Sequence, residues 1–481
     1  MNLIEEFTTL LPFVFLACWS LILLLIDLWI PVSNNWVTAT LSVLGLLFSS
    51  VLVLFRSVDR TAFNAMVVVD GFSRFLSIFF MVSGVIAILL AHDYLKRMDI
   101  ERGEYYPLLL FSICGMMLMA SAQDMIIVFL ALELLSIPLY VLAGFYKRRA
   151  ESEEAGLKYF LLGAFSSGFF IYGVSLIFAS TGYTSFEGIF STIEIGGADT
   201  IILLVGTSLV FIGFCFKAAI VPFHMWTPDV YEGAPTPATA FMSVAVKATA
   251  FAAIMRVFLA LFSGLHEKTM PVIWVLAALT MLAGNLIAIS QKNIKRMLAY
   301  SGIAHAGYLL MAFVPYGNDN MTQEIIASIL FYLLAYGATT FGAWAVVISL
   351  EKKLGEGLEI EKYAGLGEKE PWLAIPMLVF MLSLTGIPLT MGFWGKFYLF
   401  TSVVKGGYSI LALIGLFASL ISAYYYLRII VVMFMRKGEP EVSNTKSLRI
   451  VTILMALAVI ILSFIPGILL NLAQNAVFSN L

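Results

Sequence analysis

The chain has 481 residues, of which 61% are hydrophobic and 12% charged, with a formal net charge of −2. Soluble domains carry roughly a quarter charged residues, so a soluble enzyme is excluded, and with no basic domain a nucleic-acid partner is excluded too. Cys18, Cys114 and Cys215 stand singly in apolar runs and His92, His224, His266 and His305 are far apart. No zinc or iron–sulfur ligand set and no glycine-rich nucleotide loop is therefore expected, and any electron or nucleotide chemistry would fall to another chain.

Apolar runs of about 20 residues, each long enough to cross a bilayer as a helix, recur from end to end. The predicted fold is an all-α membrane protein of about 14 spans, centred near residues 20, 45, 83, 113, 135, 168, 210, 250, 280, 305, 335, 385, 420 and 462. The N-terminal MNLIEEF is acidic and lacks a basic n-region, so a cleavable signal peptide is not expected and the first span stays. Asp27, within that span, reads as interfacial. The polar stretch from Leu350 to Trp372 reads as a solvated, partly helical linker.

Lysine and arginine in the connections set orientation. One alternating set of connections holds Lys96, Arg97, Arg102, Lys147, Arg148, Arg149, Lys292, Lys295, Arg296, Lys352, Lys353, Lys362, Lys369, Arg436, Lys437, Lys446 and Arg449, seventeen in all; the other set holds only Arg56, Arg60, Lys268 and Lys405. This asymmetry predicts fourteen spans with both termini on the outer side.

Seven basic residues fall outside the connections. Arg74, Lys158, Arg256 and Arg428 lie near span ends, where a long side chain reaches the interface. Lys217, Lys247 and Lys396 lie well inside apolar runs, as does Glu133 in "IIVFLALELLSIPLYVLAG". A charge at the bilayer centre costs about 2.5 to 3.5 kcal/mol on insertion scales, so such groups pair, face water or serve transport. A static Glu133–Lys217 pair would be a purely structural solution, but one acid cannot neutralise three lysines. An amine's hold on its proton responds to burial and to a nearby carboxylate, which makes lysine a switchable proton carrier where arginine is not. Glu133, Ser136 and Tyr140 share a helix face, as do Ser243 and Lys247, and Ser301, His305 and Tyr308.

Two spans are interrupted. In "GFCFKAAIVPFHMWTPDVYEGAP" Pro222 removes a backbone donor just after Lys217, so the carbonyls near Ala218 and Ala219 need other partners. In "MLSLTGIPLTMGFWGKFYLF" Gly386 and Pro388 precede Lys396. Irregular backbone at membrane depth is tolerated only inside protein or beside a water-filled cavity, and two such breaks about five spans apart suggest an internal duplication.

The stretches "ALELLSIPLY", "FKAAIVPFHMWTPDVYEGAPTP", "NIKRMLAYSGIAHAGY" and "GIPLTMGFWGKFY" resemble the antiporter-like membrane subunits of proton-pumping NADH:quinone oxidoreductase (respiratory complex I) and the related Mrp cation/proton antiporters. The likeness runs through most of the chain. Its length, its span count, the lack of a long C-terminal amphipathic extension and lysine rather than glutamate at 396 are most similar to the N type. The resemblance implies two inverted five-helix repeats, at 105–262 and 270–436, preceded by three helices in 1–100 and followed by a last helix in 449–481. It further implies that Glu133, Lys217, Lys247, His305 and Lys396 carry protons, entering near Lys247, resting on Lys217 under control of Glu133 and leaving through His305 and Lys396. His224 would belong to the broken-helix motif, bonding opened backbone, and Asp229 and Glu232 would cap or turn the chain on the inner side. No cofactor or metal is implied in this chain; quinone, NADH, FMN and iron–sulfur centres are expected in other subunits. The implied partners are other membrane-arm subunits, including further antiporter-like ones, in the cell inner membrane. The alternative is a subunit of an Mrp-type sodium/proton antiporter.

Overall fold

A computed structural model of the chain describes residues 3–31, 34–55, 59–261, 265–316, 321–443 and 445–476; Arg56 lies outside them. The regular secondary structure of the described residues is helical apart from one antiparallel hairpin, Arg60–Ala62 against Val67–Val69, which the apolar pattern did not announce. The chain opens with α1 (Leu3–Thr9), α2 (Leu11–Asp27), α3 (Trp36–Leu54) and α4 (Gly71–Arg97). Helices α5 (Tyr105–Ser121), α6 (Met125–Ala143) and α7 (Ala150–Thr181) follow, then the short α8 (Phe186–Glu194). The first interrupted segment is α9 (Thr200–Ala218) with α10 (Trp226–Gly233). Helix α11 (Thr236–Phe241) runs through a π turn at Met242–Val246 into α12 (Lys247–Leu261). After α13 (His266–Ser290), α14 (Ile294–Met311), α15 (Thr322–Leu350) and α16 (Leu366–Lys369) comes the second interrupted segment, α17 (Pro371–Thr385) with α18 (Met391–Lys405). The described chain ends with α19 (Ser409–Met435), α20 (Lys446–Ile461) and α21 (Pro466–Asn475).

Among the described residues ten helices are long and apolar enough to cross a membrane, and α2, α5 and α17 are shorter apolar helices. Sequence-local chemistry sets where they begin. Asp70 and Ser73 form a reciprocal capping box at the start of α4, Asp124 accepts the Ile126 N–H at 2.8 Å to start α6, and Asp199 accepts two N–H groups at the start of α9; each satisfies donors that a helix start leaves orphaned. The window of helix 236–257 is wholly buried, and α15 is buried along most of its length, so these two form the centre around which lipid-facing helices pack.

The five basic connections meet at one end of the bundle. Arg148 pairs with Asp99 at 3.1 Å, Arg149 reaches Glu351 at 3.8 Å, Lys352 pairs with Glu441 at 2.6 Å, Arg436 bonds Glu361 and the Ile294 N–H donates to Leu358 O at 2.8 Å. The Leu350–Trp372 stretch is accordingly no free linker: Leu358, Ile360, Tyr363 and Leu366 are buried, because its alternating apolar residues find the ends of several helices to cover.

Helices α7 and α9 touch backbone to backbone. A Cβ on Gly173 would lie 2.7 Å from Gly206 O and one on Gly206 2.9 Å from Gly173 O, so both positions require glycine, the small-residue contact that holds membrane helices together where apolar surface gives no drive.

Arg256 does not reach an interface. It is almost fully buried, with Nη2 donating to Asp70 Oδ1 at 2.8 Å and Nε to Ala120 O at 2.9 Å. One guanidinium thus ties α12 to the start of α4 and the end of α5. Removing one partner of a buried pair costs about 3 to 5 kcal/mol because the other charge is stranded. Asp70→Ala should therefore lower the melting temperature of the detergent-solubilised protein clearly more than Asp59→Ala, whose pair with Arg74 at 2.9 Å is half-exposed; melting curves of the two variants decide it.

Candidate functional site

At the first break, α9 ends with Ala219 in the left-handed region at φ 60°. The Ile220 N–H returns to Cys215 O at 2.9 Å, the Trp226 indole donates to Phe216 O at 2.9 Å and the Val221 N–H donates to Thr280 Oγ1 of α13 at 3.1 Å. Side chains thus supply part of what the lost helical turn cannot. The His224 imidazole faces the Pro222 backbone at the break, while its Nδ1 is buried with no hydrogen-bond partner among the described residues. Asp229 and Glu232 are neither caps nor turn formers. Arg296 bonds Asp229 at 2.9 Å and Glu232 at 2.7 Å, and Lys158 bonds Asp229 at 2.7 Å, so the pair of acids binds α10 to α14 and α7. Lys158 is therefore an ion-pair partner, not a free interfacial anchor.

Lys217 is buried just before this break. Its Nζ lies 5.2 Å above the rings of both Tyr140 and Tyr159, with the Tyr140 hydroxyl at 3.5 Å. Aromatic faces stabilise a cation without fixing it as a carboxylate would. Glu133, half-buried on the same face of α6 as Tyr140, accepts a hydrogen bond from Ser167 of α7. No salt bridge joins Glu133 and Lys217 among the described residues, so the static pair is not formed.

The second cluster holds three of the five candidate residues. Lys247 follows the π turn, and its Nζ donates to Gly302 O in the middle of α14 while lying 5.8 Å over the Tyr336 ring. One turn along α14 from Gly302 is His305, whose Nε2 meets the Tyr426 hydroxyl at 3.2 Å and whose Nδ1 meets the Tyr332 hydroxyl; Ser301 also bonds Tyr426. The Lys247 and Lys396 amines both lie within electrostatic reach of this imidazole. Lys396 closes the series at the second break: its Nζ donates to Leu384 O and Thr385 O at 2.9 Å each and to Ser419 Oγ at 2.8 Å, and lies 5.0 Å over the Tyr308 ring. Gly386, at φ 91°, is the turn that leaves those two carbonyls open.

Lys247, His305 and Lys396 therefore form one buried file, with Lys217 and Glu133 in a neighbouring aromatic chamber. Tyr231 of α10 lies between them, within electrostatic reach of both Tyr159 and Tyr336. Several contributors escaped the sequence reading. Asn285 donates to Tyr308 at 3.2 Å and accepts from Tyr425 at 2.8 Å; a lone amide inside an apolar run was the available signal. Tyr332, Tyr336 and Tyr426 gave none, because aromatics are common in any membrane helix. Among the described residues no group of three or more His, Cys, Asp or Glu comes together to hold a metal.

The NADH:quinone oxidoreductase/Mrp antiporter transmembrane family matches residues 122–422, a span that contains both breaks and all five candidate residues. NADH-quinone oxidoreductase subunit N of Trichlorobacter lovleyi is 45% identical over 474 residues, covering 97% of this chain and 96% of that protein. The chain belongs to the NADH-quinone oxidoreductase subunit N family. Among solved structures, a chain of respiratory complex I from Thermus thermophilus with bound aureothin is 34% identical to this chain, the match covering 96% of this chain and 99% of that one, with a TM-score of 0.83. A chain of the Mrp complex from Dietzia sp. gives the same TM-score over 99% of this chain and 97% of its own, at 21% identity, a likeness of fold alone.

The break in this subunit N family member makes a local prediction. Trp226→Phe keeps the ring stack on Tyr159, whose centroid is 4.6 Å away, and loses only the indole donor, at a cost of about 1 kcal/mol. Trp226→Ala loses the stack as well and should cost about 3 to 5 kcal/mol. Thermal unfolding of the two variants should rank them in that order.

Proposed function

We propose that the chain is a proton-translocating, non-redox subunit in the membrane arm of an NADH:quinone oxidoreductase, taking up and releasing protons on its own buried side chains while quinone reduction proceeds in other subunits. The observation that carries this reading is the file Lys247–His305–Lys396: titratable groups in succession, buried, within electrostatic reach of one another, each bonded to hydroxyls or carbonyls, and with no carboxylate paired to them among the described residues. Near-full-length identity of 45% to a subunit N protein, against 21% to the Mrp chain, supports this reading over a sodium/proton antiporter.

The helices support a count of fourteen spans: α2 to α7, α9 with α10, α11 with α12, α13, α14, α15, α17 with α18, α19, and α20. In this reading residues 105–262 and 270–436 are the two inverted repeats, 1–100 holds the three leading helices and 449–481 the last one. The clustering of the basic connections supports an inner-membrane orientation with that end facing the cytoplasm and both termini outside. Protons enter on Lys247 from the cytoplasmic side, exchange with Lys217, whose charge Glu133 governs, and pass through His305 to Lys396 and the outer side. Neighbouring antiporter-like and other membrane-arm subunits transmit the drive. Quinone, NADH, FMN and iron–sulfur centres belong to other chains of the assembly, and this chain holds no cofactor.

Replacing Lys217 or Lys247 by Ala, or Glu133 by Gln, is expected to abolish most proton pumping per quinone reduced in reconstituted vesicles while the complex still assembles. Unchanged pumping in all three variants overturns the assignment, and sodium-dependent proton release without quinone would favour the antiporter reading.

A further inference from the structure

A second charged centre lies apart from the file, at the end of the bundle where the basic connections meet. Glu351 follows α15 and is only 2% exposed, although it belongs to the polar stretch after Leu350. Its carboxylate sits at a helix C-terminus, where the dipole disfavours negative charge, and it is held there by side chains from three other parts of the chain. Tyr94 of α4 donates to Oε1 at 3.2 Å, Thr236 of α11 donates to Oε2, and Arg149, ahead of α7, reaches Oε1 only at 3.8 Å. Arg97 of α4 donates to Ile348 O at 2.5 Å, and Lys295 of α14, fully buried, donates to Ala234 O at 2.7 Å. Asp93, Glu232 and Tyr363 also face this cluster.

The cluster opens in two directions. Outward, Arg149 also holds Glu151 at 3.3 Å, and Glu151 is largely exposed. Inward, Thr236 begins a row of polar side chains on one buried helix face: Thr236, Thr239, Ser243 and Lys247 at spacings of three and four residues. Thr239 donates to Tyr231 O at 3.0 Å, and Ser243 accepts from the Trp344 indole at 2.9 Å. These hydroxyls, about one turn apart, interrupt an otherwise apolar helix at regular steps from Glu351 to the lysine.

We propose that Glu351 is the proton-loading group at the basic end of a hydroxyl-lined route to Lys247. This rests on the reading of the chain as a proton translocator and names its entrance. A hydronium ion arriving past Arg149 protonates the Glu351 carboxylate and leaves water. The resulting carboxyl gives its proton to the Thr236 hydroxyl, each hydroxyl or bridging water accepting one proton and releasing another, until neutral Lys247 becomes an ammonium and Glu351 is again a carboxylate. Arg149 keeps its proton throughout and acts as a gate by moving between Glu351 and Glu151.

The test uses the intact complex in vesicles, with Glu351→Gln, Glu351→Asp, Thr236→Val and Lys247→Met compared for assembly and for protons pumped per quinone reduced, from about pH 6 to about pH 9. Glu351→Gln should lower pumping about tenfold or more, most severely at the alkaline end where hydronium is scarce. Glu351→Asp should recover most of the yield, and Thr236→Val should reproduce the loss without removing a charge. Full pumping with Glu351→Gln while Lys247→Met is inactive overturns the entrance and leaves the translocator reading standing; full pumping in both overturns the reading itself. If Glu351→Gln fails to assemble, Thr236→Val decides, and wild-type pumping with that variant makes Glu351 a structural anchor and overturns the proposal.

Discussion

Inside hydrocarbon every helix that stops must still find donors for its last carbonyls, since no water is there to supply them. Among the described residues, cationic side chains bond carbonyls at five helix ends, some at membrane depth and some packed at the basic end of the bundle. Arg256 bonds the end of α5, Lys295 the end of α10, Arg428 the end of α13 at 3.2 Å from Gln291 O, Arg97 the end of α15 and Lys396 the end of α17. Each places positive charge where the helix dipole favours it, so one contact serves both backbone satisfaction and electrostatics. The same constraint explains why the second break can exist at membrane depth at all.

Against that background Lys217 and Lys247 stand out. Neither bonds a helix terminus: Lys247 leans on a mid-helix carbonyl that already serves its own helix, and Lys217 on a phenol and two ring faces. Their positive charge is supported without being required by the backbone. Lys396 does both, closing α17 while ending the file. A buried cation whose removal would orphan helix-end carbonyls is held by the backbone; Lys217 and Lys247 are held instead by ring faces, a phenol and one mid-helix carbonyl. The chain thus separates its buried cations by what they hold.

Much of this was legible in the sequence. Pro222, Gly386 and Pro388 announced both breaks, and Glu133, Lys217, Lys247, His305 and Lys396 stood out because charge inside apolar runs is expensive. What repairs the breaks was not legible: Trp226 and Thr280 carry no local mark of that role. Arg256 looked like an interfacial anchor because its partner Asp70 is 186 residues away. Lys295 and Glu351 were hidden by their neighbours. Both lie in strings of charge that read as solvated, and only the packing of α4, α11 and α14 against the end of α15 removes them from water.

The glycine contact between α7 and α9 constrains how the first chamber works. Helix α7 carries Ser167, which holds the carboxylate of Glu133, and α9 carries the amine of Lys217. With Gly173 and Gly206 in mutual backbone contact, the two helices form a single plank that cannot slide or separate without losing that fit. The hydroxyl of Ser167 and the amine of Lys217 therefore ride on one frame, against which α6 carries the acid. In this half of the molecule α7 and α9 act as one piece of scaffolding behind the aromatic chamber.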